Sequence, residues 1–355
     1  MKDRHIQITE DNLLFKEIYQ QIEQGLQINP QSTALFLSFK FVFYLSLQIL
    51  LYGLIFQIQN PILFVLNFIG YGVAVVLFGF NFAHDFSHNT VFKNKQLNNL
   101  GFTLIYTLLG AHAEAWKHRH IHSHHFAPNV KHYDSDLKIT SLIRVEPTCT
   151  PRWYHQYQPY YAPFAYTTYS LFWVFIKDFV IYFFDKEYPK SKSLAYHLSF
   201  WIQKTFYLTY LLILPLLFSY QTWKIVLIGF LGMHLIQSLF LLFTFFMTHH
   251  VEGLEYPATD DAGNIQASWF RNQVLSSNDF YPFSPFANFI FGGFNNHIAH
   301  HLFPHIHHVH YPKLNRMLYK TLIEHGLQPK STTYWGGVIS HLRHLSALSQ
   351  TSERT

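Results

Sequence analysis

Residues Ile62–His88 read ILFVLNFIGYGVAVVLFGFNFAHDFSH, an apolar run that ends in a histidine pair. The run from Ile62 to Phe82 is long enough to cross a bilayer as a helix. His84-Asp85-Phe86-Ser87-His88 follows directly, and residues four apart share one helix face, so His84 and His88 can close on one ion. Just upstream, Ala34 to Ile58 is nearly continuous aliphatic and aromatic, and Asn60-Pro61 supplies the turn of a hairpin with an uncharged tip. A second hairpin follows later, Leu198 to Phe218 and Trp223 to Met247, with Lys204 near its inner end, where it can snorkel. The expected fold is an all-α integral membrane protein. It has four transmembrane helices in two hairpins (34–58, 62–82, 198–218 and 223–247), interfacial helices and a cytosolic histidine-rich cap. Residues 1–33 read as a polar cytosolic segment, 34–325 as the membrane domain and 326–355 as a cytosolic tail.

Composition points the same way. The 355 residues are 49% hydrophobic, 19% aromatic and only 13% charged, about half the usual share of charge. The one cysteine, Cys149, excludes an intramolecular disulfide and a cysteine-based metal site. A net charge of +5 without a basic stripe or binding motif argues against nucleic acid and suits an anionic membrane surface. The first thirty residues lack the apolar core of a secretion signal. Every Lys and Arg except Lys40, Lys204 and Lys224 falls in 1–32, 83–193 or 248–355. The positive-inside rule therefore places both termini and all the histidine clusters on the cytoplasmic side.

Between the hairpins, Leu100–Leu109 is too short to span and reads as interfacial or re-entrant, and residues 126–165 read as irregular. Tyr166–Phe184 is apolar but interrupted by Lys177-Asp178, which suits a helix lying in the interface. Asp185–Ser193 reads as a charged loop.

Twenty-five histidines are present, and they are clustered. The run His118-Arg119-His120-Ile121-His122-Ser123-His124-His125 and the group His297, His300 and His301 repeat the four-residue spacing, with His120/His124 as one candidate pair. With His84, His88 and His249 these give His84, His88, His120, His124, His125, His249, His297, His300 and His301 as candidate ligands. That is more than one tetrahedral or octahedral ion accepts, so two metals are the economical reading. Neutral imidazole suits iron, zinc, copper and nickel alike. A zinc protease would need Glu after the first histidine, where this chain has Asp85. A metal transporter would place its histidines in low-complexity loops or mid-helix. A non-enzymatic metal- or lipid-binding membrane protein is a further alternative. Histidines outside the repeat, His310 among them, read as supporting or loop residues.

The order HDFSH, HIHSHH, HIAHH resembles the three histidine boxes of membrane fatty acid desaturases, and the likeness runs from about residue 35 to 325. Asn81–His88, Trp116–His120 and Gly292–Pro304 are particularly close, and His308-Val309-His310-Tyr311-Pro312 is similar to the bacterial linoleoyl-CoA-desaturase-like, or front-end, branch. The resemblance implies a fatty acyl desaturase that inserts a cis double bond using dioxygen, a di-iron centre and two external electrons. It places ligands at His84 and His88, at His120, His124 and His125, and at His297, His300 and His301. A further ligand falls on His249, with His250 as competitor. Asn129, Asp134 and Asp136 resemble the family's positions after the second box. Asp85, Asp134, Asp136 and Glu252 are then acceptors that would fix imidazole tautomers. The implied partners are a long acyl chain on CoA, a carrier protein or a glycerolipid, and an electron donor such as a ferredoxin or cytochrome b5-type protein. No haem motif of a fused cytochrome is present, so the electrons would come from a separate protein, and a bacterial inner membrane is the expected location. A lipid or carotenoid hydroxylase or ketolase on the same scaffold is the alternative outcome. Three departures stand out. His297 occupies a place where front-end enzymes carry Gln, Ala299 gives the box a methyl-end look, and Phe245 stands where some relatives hold a water through Asn.

Overall fold

The computed structural model describes residues 4–138, 140–185 and 193–350. Most of the charged loop expected at 185–193 therefore lies outside the described residues. The chain forms two compact units. One, the membrane unit, comprises Pro30–Lys117 and Phe164–Leu242; the other, the histidine unit, comprises the segment ending at Asn29, His118–Pro163 and the chain from Phe243 onward.

In chain order, α1 (Thr9–Gly25) belongs to the histidine unit. The polar lead-in is more than a surface segment. Leu14, Ile18 and Ile22 enter the unit's core, and buried Asp11 accepts hydrogen bonds from Ser268 Oγ (2.6 Å) and Arg271 Nε (2.8 Å). α2 (Pro30–Ile55) is the first candidate span; only 17% of its apolar window is buried, as befits a helix whose outer face meets lipid. α3 (Pro61–Ser87) returns from the tip. Asn60 Oδ1 accepts from the backbone N–H groups of Ile62 (3.0 Å) and Leu63 (3.1 Å), and Pro61 takes the first helical position, where its missing N–H costs nothing. Near its end, Gly79–Ala83 forms a π turn just before His84.

α4 (Lys95–Leu109) is the short helix expected from 100–109, and it is amphipathic, with Phe102, Ile105 and Tyr106 inward and Leu97, Leu100 and Leu104 outward. It stops at Gly110, whose φ of +75° suits glycine; a Cβ there would stand 2.7 Å from the Tyr207 ring. α5 (Ala113–Arg119) leads into a second π turn, His120–His124. The stretch read as irregular is partly helical, with a 3-10 turn at Trp153–Tyr157 and α6 at Gln158–Tyr166. Buried Gln158 explains the order: its side chain bonds Arg144 N and the carbonyls of Arg144 and Leu345, so tertiary partners hold a segment of weak local pattern.

α7 (Tyr169–Phe184), α8 (Leu194–Phe218) and α9 (Trp223–His249) complete the membrane helices, and α9 carries its last turns, from Phe243, into the histidine unit. Among the described residues, four helices are long and apolar enough to cross a membrane: α2, α3, α8 and α9. The membrane unit's core packs Phe64, Phe68, Tyr71 and Val75 of α3 with Tyr207 and Leu211 of α8 and Phe230 and Met233 of α9.

Lys204 corrects its expectation. It does not snorkel; it is 5% exposed, and its Nζ donates to Asp178 Oδ2 (2.7 Å), Gly110 O (2.6 Å) and Val174 O (2.8 Å). Asp178 also accepts from His112 N (2.7 Å) and Trp173 Nε1 (3.1 Å). The Lys177-Asp178 interruption is therefore half of an internal ion pair, which solvates the lysine without water.

The rest of the histidine unit is α10 (Trp269–Leu275), β1 (Asn278–Phe280), α11 (Pro285–Phe291), α12 (His297–Leu302), α13 (Tyr311–Glu324), β2 (Lys330–Thr332) and α14 (Tyr334–Gln350). β1 and β2 pair in parallel, a small sheet in an otherwise all-α protein. The expected tail thus supplies a strand and a helix to the unit.

Candidate metal centre

The π turn decides where the second box points. His125 N bonds His120 O at 2.9 Å, five residues back, so the extra residue rotates the side chains that follow. On a regular α-helix His120 and His124 would share a face and one ion. Here they diverge. His120 turns to His125, Nε2 to Nε2 at 3.2 Å, and stacks on His300 with centroids 5.8 Å apart and planes 9° apart. His124 instead joins His249, His297 and His301: one nitrogen from each of these four lies within 4.8 Å of all the others.

That second group has the geometry of a ligand set. His297 Nε2 is 2.7 Å from His249 Nε2, and His301 Nε2 is 3.2 Å from it, while all four side chains are buried. Three imidazoles are held from behind at Nδ1: His124 by Asp134 Oδ2 (3.1 Å), His249 by Ser276 O (2.8 Å) and His301 by Gln273 Oε1 (2.8 Å). A partner that accepts at Nδ1 fixes the tautomer with a lone pair on Nε2. Burial and the neighbouring imidazoles of His125, His297, His249 and His124 hold His301 well below the ordinary histidine range, so it stays neutral. Burial also lowers His124, but the carboxylates of Asp134 and Asp136 outweigh it and leave its pKa raised. Buried imidazole nitrogens aimed at one another suit a cation of the iron, zinc, copper or nickel class, whose binding requires His124 to release any proton on its inner nitrogen.

His297 and His301 keep the four-residue spacing on α12, and His300, between them, faces His120 and His125; its ring centroid lies 4.5 Å from that of His125. His125 is also 4.5 Å from His301 and so stands between the two groups of rings. His250 points elsewhere, with Nδ1 at 3.0 Å from Tyr256 Oη. In the membrane unit, His84 and His88 follow the π turn of α3 with centroids 5.2 Å apart, and His84 lies edge-on to Trp116. Asp85 is buried beside them, with the charge of buried Lys40 nearby.

Among the supporting residues, Asn129 adopts φ +61°, a conformation Asn tolerates. Its N–H donates to Asp134 Oδ2 (3.0 Å), and its Nδ2 donates to the carbonyls of His249 (2.9 Å) and Glu255 (3.2 Å). Asn129 and Asp134 thus tie the second box to the end of α9. Asp136 is further off, 4.0 Å from His124 Nδ1. Glu252 is exposed and accepts from Ser340 Oγ (3.3 Å), and His310 is half-buried at the start of α13. Phe245 lies edge-on to Phe294, whose ring stacks on His297, so the position that holds water in some relatives carries an aromatic wall. Gln273 and the Ser276 carbonyl escaped the sequence reading. Neither belongs to a box, and a backbone acceptor leaves no residue signature.

The membrane unit also carries a groove of about 640 Å3, open along one side and lined almost entirely by apolar side chains, including Phe41, Phe82, Phe86, Leu100, Leu104 and Ile105. Phe86, between His84 and His88 in sequence, brings the first-box helix into that lining.

A fatty acid desaturase family model matches residues 60–333. The acyl-lipid (8-3)-desaturase of Physcomitrium patens is 30% identical over 353 residues, which cover 96% of this chain and 72% of that protein. The sn-1 linoleoyl-lipid 6-desaturase of Arthrospira platensis is 31% identical over 79% of this chain and 76% of its own length, and the enzyme of the same description from Synechocystis sp. is 27% identical over 84% of each. The histidine spacing, the apolar helices and these likenesses agree: the chain belongs to the fatty acid desaturase family and is a membrane-bound oxidoreductase that desaturates fatty acyl chains.

Proposed function

We propose that this desaturase acts on an acyl chain esterified in a membrane glycerolipid, with two irons held by His84, His88, His120, His124, His125, His249, His297, His300 and His301. The observation that carries the metal reading is the convergence of His124, His249, His297 and His301 at buried nitrogens, with outer partners that preset the tautomers of His124, His249 and His301. Motif order within the family assigns His84 and His88 to the same centre. Such a centre, when loaded, supplies the dioxygen chemistry that removes hydrogens from unactivated carbons. The chain's own share is positioning. The imidazoles hold metal, Asp134, Gln273 and the Ser276 carbonyl hold the imidazoles, and no side-chain general base is required. The apolar groove of the membrane unit suits a polymethylene chain. The names of the relatives make a linoleoyl glycerolipid the first substrate to test, with the new bond at carbon 6. Two electrons come from a separate donor of the ferredoxin or cytochrome b5 type. The distribution of Lys and Arg favours an inner membrane with both termini cytoplasmic.

The test is the lipid profile of a host that makes linoleoyl lipids and expresses this chain, with double bonds located by mass spectrometry. A new double bond in intact glycerolipid, absent with His301→Ala, is the expected result. A hydroxylated product, or none from iron-loaded protein supplied with a reductant, would overturn it.

A further inference from the structure

The structure assigns a positioning role to Asp279: from β1 it caps the helix that carries the third histidine box, and with Asn278 it sets the spacing of His297 against His249. This inference rests on the proposed metal centre.

α12 has six residues and starts at His297, and its N-cap residue, Asn296, makes no side-chain capping bond. The first N–H groups of a helix have no partner within the helix, and burying them unpaired is costly. Asp279 meets the need from another element. Its Oδ1 accepts from Ile298 N at 2.9 Å, and its Oδ2 accepts from Tyr319 Oη (2.9 Å) and Asn315 Nδ2 (3.1 Å) on α13. Asp279 is fully buried; burial raises its pKa to about 7, and the bonds from Ile298, Tyr319 and Asn315 oppose that rise only in part.

The neighbours of Asp279 turn this cap into a clamp. Asn278 Nδ2 donates to Met247 O at 2.7 Å, two residues before His249. Phe280 N donates to Asn295 O at 3.0 Å, two residues before His297. Three consecutive residues of one strand therefore grip the end of α9 and the start of α12, and β2 backs the strand through the pairing of Asp279 with Ser331. The two helices held in this way present the imidazole nitrogens that stand 2.7 Å apart. A ligand set on one rigid element would need no such device. Here the ligands come from separate segments, and a short strand between them fixes the gap.

The test is a cobalt(II) titration of purified, metal-free protein in detergent, read by visible absorption, with melting of the metal-free protein as the control for fold. In Asp279→Ala, one class of sites should weaken by roughly 10–100-fold, the usual effect of losing an outer-sphere support, with an altered cobalt spectrum. Asp279→Asn keeps an acceptor for Ile298 N and should recover most of the affinity. Should Asp279→Ala fail to fold, Tyr319→Phe loosens the carboxylate while leaving the cap bonded, and a smaller loss at the same sites is expected. Unchanged cobalt binding in a folded Asp279→Ala protein, or in Tyr319→Phe where the first variant does not fold, would overturn the role. So would Asp279→Asn binding as weakly as Asp279→Ala. Absence of cobalt binding in the unmutated chain would instead overturn the metal centre itself.

Discussion

Two buried polar clusters in this protein look alike by composition and differ in how they are satisfied. In the membrane unit, Lys204 spends all three of its protons on Asp178 and two carbonyls, and Asp178 takes further donors from His112 and Trp173. His234 follows the same rule, with Ser170 on one nitrogen and Tyr207 on the other. In the histidine unit, the outer nitrogens of His124, His249 and His301 are equally well bound, but their inner nitrogens face one another. The first cluster is closed. In the second, the inner contacts run between imidazole nitrogens, from His249 Nε2 to His297 and His301, and such a set can open to a cation. Burial of polar groups thus does not mark function by itself; the convergence of several imidazole nitrogens on one point does.

The sharpest way to break this contrast is to remove one inner nitrogen. His301→Ala should release metal from its group and reduce desaturation below detection, while the protein still inserts in the membrane, as metal analysis and lipid profiling would read. A variant that kept both metal and activity would put the open cluster in the same class as the closed one. The closed cluster should fail differently. Lys204→Met leaves the Asp178 carboxylate buried without its partner, at a cost of about 3–5 kcal/mol of stability, whereas Lys204→Met with Asp178→Leu should regain most of it. Yield and unfolding in detergent would show this, and the surviving folded fraction should keep its metal content. A smaller effect is expected from the outer sphere of the open cluster. Asp134→Asn weakens the support of His124 and should lower metal affinity by roughly 10–100-fold without a comparable loss of stability in the metal-free protein.

The boxes were legible because metal ligands must recur at helical spacing, and the four spans because apolar length has few other meanings. Which histidine serves which group was not. The spacing of His120 and His124 promises one ion for both, and only the five-residue bond from His125 to His120 reveals the π turn in which they take different partners. Lys204 was misread for a related reason: its partner lies 26 positions away, and composition cannot tell a lysine that reaches for water from one already paired. Gln273 and Asp279 act on histidines 28 and 19 positions distant or on their neighbours, through contacts that leave no local pattern. Residues 153–165, within the stretch 126–165 read as irregular, were missed because Gln158 and its distant partners, rather than hydrophobic periodicity, hold them.

The smallest effect concerns a histidine of the closed kind inside the histidine unit. His341 Nδ1 lies 2.7 Å from His250 O, its ring stacks on Phe246, and burial lowers its pKa to about 3, with His344 adding to the shift. The ordinary value of an unfolded histidine is about 6.5. Between these values the unfolded chain binds a proton that the folded one refuses, so this residue makes stability fall as pH falls below about 6.5 and adds no pH dependence above it. Each pH unit in that window is worth about 1.4 kcal/mol, so roughly that much is lost by pH 5.5. His341→Phe keeps the stack on Phe246, forfeits one hydrogen bond and should flatten the acid slope by one proton. Because His341 points its bonds at the backbone rather than at the open centre, the slope removed should be the same in metal-free and metal-loaded protein. Unfolding measured from pH 8 to pH 4.5 in both forms would decide it; a slope that vanished only on metal loading would move His341 into the open cluster.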